Sequence, residues 1–189
     1  MIAHALALAL ATSARPEQGG REAAEPKGPA HAIACPAGSE PRGAAPPDGY
    51  EEWCEAKVED PPGTRRREGP ARVYYDDGKL WVEEAFSAGR RDGPFVEWHR
   101  NGRKAREGTF VRGAKDGRWT VWRESGQVEE ESGWRNGVPD GRFTAYWPTG
   151  KPRTEGRHCG GAQCGRWSTF DESGKLLGGV DYGEQTVSP

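Results

Sequence analysis

A chain of 189 residues has room for one domain or at most two. Only 33% of it is hydrophobic and 30% is charged, which argues against a membrane-spanning protein and against an enzyme built on a thick aliphatic core. Its 8 Trp, 5 Tyr and 5 Phe argue against a wholly disordered chain, and a net charge of −2 leaves no basic excess for nucleic acid.

In chain order, residues 1–14 read as a signal peptide. The alternating Ala-Leu run after His4 is too short to span a bilayer, and Thr12-Ser13-Ala14 offers small residues for cleavage. Residues 15–49 carry Pro, Ala, Gly and Glu without apolar periodicity and read as a flexible tether. Residues 50–64, with Trp53 and Cys54, read as an atypical capping strand. Cysteines stand at 35, 54, 159 and 164, an even number in a chain that looks exported. Three pairings are open; proximity favours Cys35 with Cys54 and Cys159 with Cys164. Zinc is the rival, with His158 beside the second pair, but no Cys-x-x-Cys is present.

From residue 65 to 182 the chain repeats at a step of 24. Glycines recur at 69, 93, 117, 141 and 165, at 78, 102, 126, 150 and 174, and at 89, 113, 137 and 161. Aromatic columns keep the same phase: Tyr74, Trp98, Trp122, Tyr146, Phe170; then Phe86, Phe110, Trp134, His158, Tyr182; then Phe95, Trp119, Phe143, Trp167, with Ala71 in the first repeat. Such periodicity marks a repeat architecture. Each unit reads as a β-hairpin. A short strand rich in β-formers enters a three-residue loop such as Arg100-Asn101-Gly102, and a second strand returns. The expected fold is all-β: an elongated single-layer antiparallel sheet of five hairpins, closed by a tail at 183–189, with a disordered N-terminal segment. Aromatics three apart, as at 95 and 98, break strict alternation, and a bulge in that strand would reconcile them.

The recurring Gly-x-aromatic-x-x-aromatic-x-x-x-Gly, as in Gly117-Arg118-Trp119-Thr120-Val121-Trp122-Arg123-Glu124-Ser125-Gly126, is followed by aromatic-x-x-Gly-x-x-x-Gly, as in Phe110 to Gly117. This pattern resembles MORN repeats (membrane occupation and recognition nexus). It is closest to the bacterial variant whose members are labelled YwqK-type toxin–antitoxin antitoxins. The resemblance implies an elongated sheet with a role in binding, and the label implies neutralising a toxin protein. The Cys159 and Cys164 pair departs from the other repeats, which carry an acid at the second site, and this weighs against a cytoplasmic antitoxin.

No hydrolase, metalloprotease, phosphate-loop or dinucleotide motif is present, so no enzyme, metal or cofactor is expected. Glu83, Glu107, Glu131 and Glu155 recur in phase and line one face about 10 Å apart. They read either as a solvated row paired with Arg118, Arg142 and Arg166, or as an acidic stripe that docks a basic partner. Trp81 and Trp147 fall outside the aromatic columns and are candidates for an exposed partner patch. The expected function is an exported, non-enzymatic scaffold that binds an unknown protein, without nucleic acid or a transmembrane segment. A cytoplasmic antitoxin and a carbohydrate binder using aligned rings are the alternatives.

Overall fold

The computed structural model describes residues 33–58 and 63–183. Residues 1–14, read above as a signal peptide, the first part of the segment read as a tether, residues 59–62 of the expected cap and the tail beyond 183 lie outside the described residues. Twelve strands form one antiparallel sheet in which each strand pairs with its sequence neighbours. They are β1 (Ser39–Ala44), β2 (Glu51–Val58), β3 (Thr64–Tyr74), β4 (Leu80–Ser87), β5 (Arg90–Trp98), β6 (Lys104–Val111), β7 (Ala114–Trp122), β8 (Val128–Arg135), β9 (Val138–Tyr146), β10 (Pro152–Cys159), β11 (Ala162–Phe170) and β12 (Leu176–Asp181). At about 4.8 Å per strand the ribbon is roughly 55 Å long. The expected single-layer sheet of 24-residue hairpins is the fold observed.

The three glycine columns have three separate jobs. Gly78, Gly102, Gly126, Gly150 and Gly174, with φ between 80° and 89°, close three-residue loops. In the first of these loops the Tyr75 N–H donates to the Lys79 carbonyl and the Gly78 N–H to the Tyr75 carbonyl. The column that begins at Gly89 closes two-residue loops whose preceding residue is also left-handed, as at Ala88, Arg112 and Asn136. The strained loop is held by the hairpin before it: Glu68 accepts the Ala88 N–H at 2.7 Å, and the Arg67 carbonyl accepts the Gly89 N–H at 3.0 Å. The column Gly69 to Gly165 sits in a bulge. Between β4 and β5 the register jumps from Glu84↔Phe95 to Phe86↔Arg91, so Asp92-Gly93-Pro94 faces Ala85 alone. Every pairing of an even strand with the odd strand that follows repeats this jump, from β2–β3 to β10–β11.

Two sequence expectations need correction. A second register shift does occur beside the loop, but the extra residue lies on the returning strand: Ala105 is skipped between Glu97↔Arg106 and Trp98↔Lys104. Alternation within β5 is therefore intact, and Phe95 and Trp98 point to opposite faces. The difficulty came from assuming a single aromatic face. The other correction concerns the tether. Its described part, residues 33–49, is folded: β1 pairs along its length with β2, Ile33 is buried, and Cys35 is bonded to Cys54. Composition alone weighs Pro and Gly against structure, whereas the crosslink, the β1–β2 ladder and the Arg42 ion pair to Glu55 hold this segment on the sheet.

Candidate functional site

One face, here the front, carries the columns led by Phe86 and Phe95. In the column of Phe95, cross-strand neighbours on this face trade volume, with a large side chain set against a smaller one. Trp119 lies over Gly108 and Trp167 over Gly156, and a Cβ at either glycine would enter the indole ring. Phe95 faces Glu84, and Phe143 faces Ser132. In the first unit the sizes exchange strands, with Trp53 opposite a fully buried Ala71. This explains why Ala71 lacks the ring of its column. Phe110 packs edge-on against Phe95 and Trp119 at 5.5 and 5.0 Å, and His158 does the same against Phe143 and Trp167 at 5.7 and 5.0 Å. Cations fill the gaps between rings: Arg67 between Trp53 and Phe86, Arg91 between Phe95 and Phe110, Lys115 between Trp119 and Trp134. Burial between the two indoles, then the nearby Arg106 charge, pushes the Lys115 ammonium below the usual lysine value.

The back face carries the glutamate row and the Tyr74 column. Its central row runs Glu52, Arg72, Glu83, Val96, Glu107, Thr120, Glu131, Thr144, Glu155 and Ser168 in register. Each glutamate of the predicted stripe has a cation: Glu83 with Arg72 at 3.0 Å, Glu107 with Lys104 at 2.8 Å, Glu131 with Arg118, and Glu155 with Arg142 at 3.3 Å. The stripe is therefore compensated within its own face, which leaves little negative field to steer a basic partner. Tyr74 donates to Glu52 at 2.7 Å and Tyr146 to Glu131 at 3.1 Å. Burial and the Glu52 carboxylate push the Tyr74 hydroxyl up to about 12, and burial and Glu131 raise that of Tyr146.

The two tryptophans chosen as a patch differ. Trp81 is 40% exposed, stacks on Tyr75 at 5.5 Å, and donates its indole N–H to Glu97 at 3.2 Å. Trp147 is half-buried and donates its indole N–H to the Phe170 carbonyl at 3.0 Å. That bond belongs to a column missed in the sequence. Tyr75 donates to the Trp98 carbonyl, His99 to the Trp122 carbonyl and Arg123 to the Tyr146 carbonyl, at 2.8, 2.8 and 2.9 Å. Four different side chains at one repeat position make one inter-repeat bond. The legible signal was a donor with reach at positions 75, 99, 123 and 147. Arg157 and Arg166, on the back face, were likewise not singled out as a pair.

Disulfides join Cys35 to Cys54 and Cys159 to Cys164, the pairing that proximity favoured. The second occupies the positions that one repeat earlier hold the Arg135–Asp140 ion pair, at 3.0 Å. His158 is packed against two rings, and no group of three His, Cys, Asp or Glu side chains among the described residues is placed to hold a metal. No helix among the described residues is long and apolar enough to cross a membrane. Among those residues the exposed aromatics are Tyr50, Trp81 and Tyr182, which do not form a row.

Residues 67–87, the β3–β4 hairpin, match the family described as MORN repeat variant. No curated protein matches the chain. MORN repeats are generally associated with protein or membrane binding. The matched hairpin recurs four more times at the 24-residue step with the same loops and bulges, which supports reading the chain as a MORN-repeat protein.

Proposed function

We propose that this protein is an exported, non-enzymatic scaffold that binds a partner protein across the open surface of its sheet. The observation that carries this reading is the single layer: twelve strands expose two faces over the whole ribbon, each lined by rows of side chains in fixed register. Such a surface suits an extended contact better than the enclosure that catalysis on a small molecule needs. The two cysteine pairs at bonding distance favour an oxidising compartment, and with it export over a cytoplasmic antitoxin role. A carbohydrate platform is not favoured, because its exposed rings would have to be aligned.

Two measurements test the proposal. Intact mass from each cell fraction, with thiol labelling before and after reduction, should give a shortened chain whose four thiols label only after reduction. A full-length cytosolic chain with free thiols would sink the export reading. Photo-crosslinkers placed at Trp81, Arg118 and Ser168 should capture a protein from the envelope fraction. Capture at none of the three would remove the scaffold reading.

A further inference from the structure

The back face has a second row, beside the glutamates, that changes character along the ribbon. It is built from the cross-strand pairs Pro70↔Ala85, Pro94↔Thr109, Arg118↔Gly133, Arg142↔Arg157 and Arg166↔Asp181, each following the last across a bulge. Its first four members are uncharged. Arg118 and Arg142 each have a glutamate, Glu131 and Glu155. Arg157 then breaks the pattern, because the equivalent positions hold Ala85, Thr109 and Gly133. The hairpin thus needs no arginine there. Arg157 also stands directly across from Arg142, a like-charge pairing that weakens a sheet. Among the described residues neither Arg157 nor Arg166 has a carboxylate within salt-bridge distance. Asp181 lies opposite Arg166 in register, but its carboxylate accepts the Gly183 N–H at 2.9 Å. Around this cluster lies an open depression of about 420 Å³ lined by Arg142, Glu155, Gly156, Arg157, Arg166 and Ser168.

We infer that Arg142, Arg157 and Arg166 form a docking site for an acidic, extended segment of a partner protein. This deepens the scaffold reading and rests on it. The charge of the site calls for carboxylates, and guanidinium forks match them two bonds at a time. The three arginines stand on β9, β10 and β11, a row about 10 Å across. That layout meets several acids spaced along one strand better than a single phosphate, which would require the forks to converge. The depression is also too open to enclose a small anion. A residue that departs from its repeat at a cost to the sheet is where a function is expected to act.

The test uses the full chain and a labelled oligo-glutamate peptide, read by fluorescence anisotropy. Inorganic phosphate, oligo-lysine, and vesicles of phosphatidylcholine with phosphatidylserine are run beside it. Oligo-glutamate should bind the wild type. Arg157→Thr, which restores the residue of the second repeat, should weaken binding about tenfold while the melting temperature holds or rises. Arg166→Gln should act similarly, and Arg118→Gln, one repeat away, should leave binding unchanged. Full affinity in Arg157→Thr, equal binding of oligo-lysine, or Arg157-dependent binding of phosphate or vesicles without oligo-glutamate would each overturn the inference. If oligo-glutamate fails while photo-crosslinking still captures a protein, this site falls and the scaffold reading stands. Arg157-dependent binding with no captured protein would leave the site in place and remove the scaffold reading.

Discussion

The two ends of the ribbon each carry a disulfide, yet they are built differently. At the β1–β3 end, Cys35–Cys54 closes a separation of 19 residues and fixes chain that would otherwise hang off the sheet. Cys54 and Ala71 are fully buried, Glu52 is buried under Arg72 and Tyr74, and Pro41, Glu40 and Arg42 sit on the outer strand. Those residues are the ones that blunt a sheet edge. At the β10–β12 end, Cys159–Cys164 spans only 5 residues inside one hairpin. All six residues of β12 are exposed, among them Leu176, Leu177 and Val180. In a repeat array each hairpin is stabilised by its neighbours, so an outermost unit needs substitutes for missing contacts. The first end supplies them by a crosslink, an exchanged ring and a buried glutamate, Glu52, paired with Arg72. The last described strand has only its ladder with β11 and the turn made by Asp181.

The exchanged ring gives the sharpest way to break this contrast. Trp53→Gly should cost about 3–5 kcal/mol in urea unfolding, since it empties the space above Ala71. Adding Ala71→Trp should recover more than half of that loss, because Gly108 with Trp119 shows the same pair with the ring on the other strand. No recovery would mean that Trp53 does something the interior pairs do not.

Next in size are the crosslinks. Replacing Cys35 and Cys54 by serine should cost about 3 kcal/mol, and replacing Cys159 and Cys164 about 2 kcal/mol, from the loop lengths closed. Thermal unfolding of the two variants checks the order. A larger loss from the second pair would show that the short hairpin depends on its crosslink more than its loop length implies.

A smaller effect belongs to Tyr74. Its hydroxyl is raised from 10.0 to about 12, so the unfolded chain releases this proton first. The stability it provides is whole below pH 10 and is lost as pH rises through 12. After allowance for solvent at this half-buried site the loss is on the order of 1 kcal/mol. Tyr74→Phe should flatten that part of the stability–pH curve. An unchanged slope would assign it to other groups.

The smallest energies lie at β12. Its amides should exchange with solvent fastest among the strands, and Val180→Lys should change stability by no more than about 0.5 kcal/mol. Exchange as slow in β12 as in β3 would erase the difference between the ends.

Sequence alone carried the fold far because the repeat is periodic and its glycines are needed for backbone reasons. Left-handed residues at the loops and bulges are local requirements, so columns such as Gly78 and Gly93 could be read without any contact. The two disulfide partners were legible from proximity. The face of each column was not. Phe95 and Trp98 are three apart, and only the placement of the extra residue at Ala105 shows that they point apart. Nor was the function of Trp147 legible: its bond to the Phe170 carbonyl crosses 23 residues, and its column mixes Tyr, His and Arg.

The sequence by itself determined the period, the hairpin unit, the loop types and the single-layer sheet, because each follows from spacing and φ preference within a few residues. Only the tertiary structure decided which side chains meet. It neutralised the glutamate row with Arg72, Lys104, Arg118 and Arg142, and folded residues 33–49 onto β2. It also set Arg157 against Arg142 with no acid of its own. Those outcomes depend on register across strands, where a shift of one residue sends every side chain to the other face.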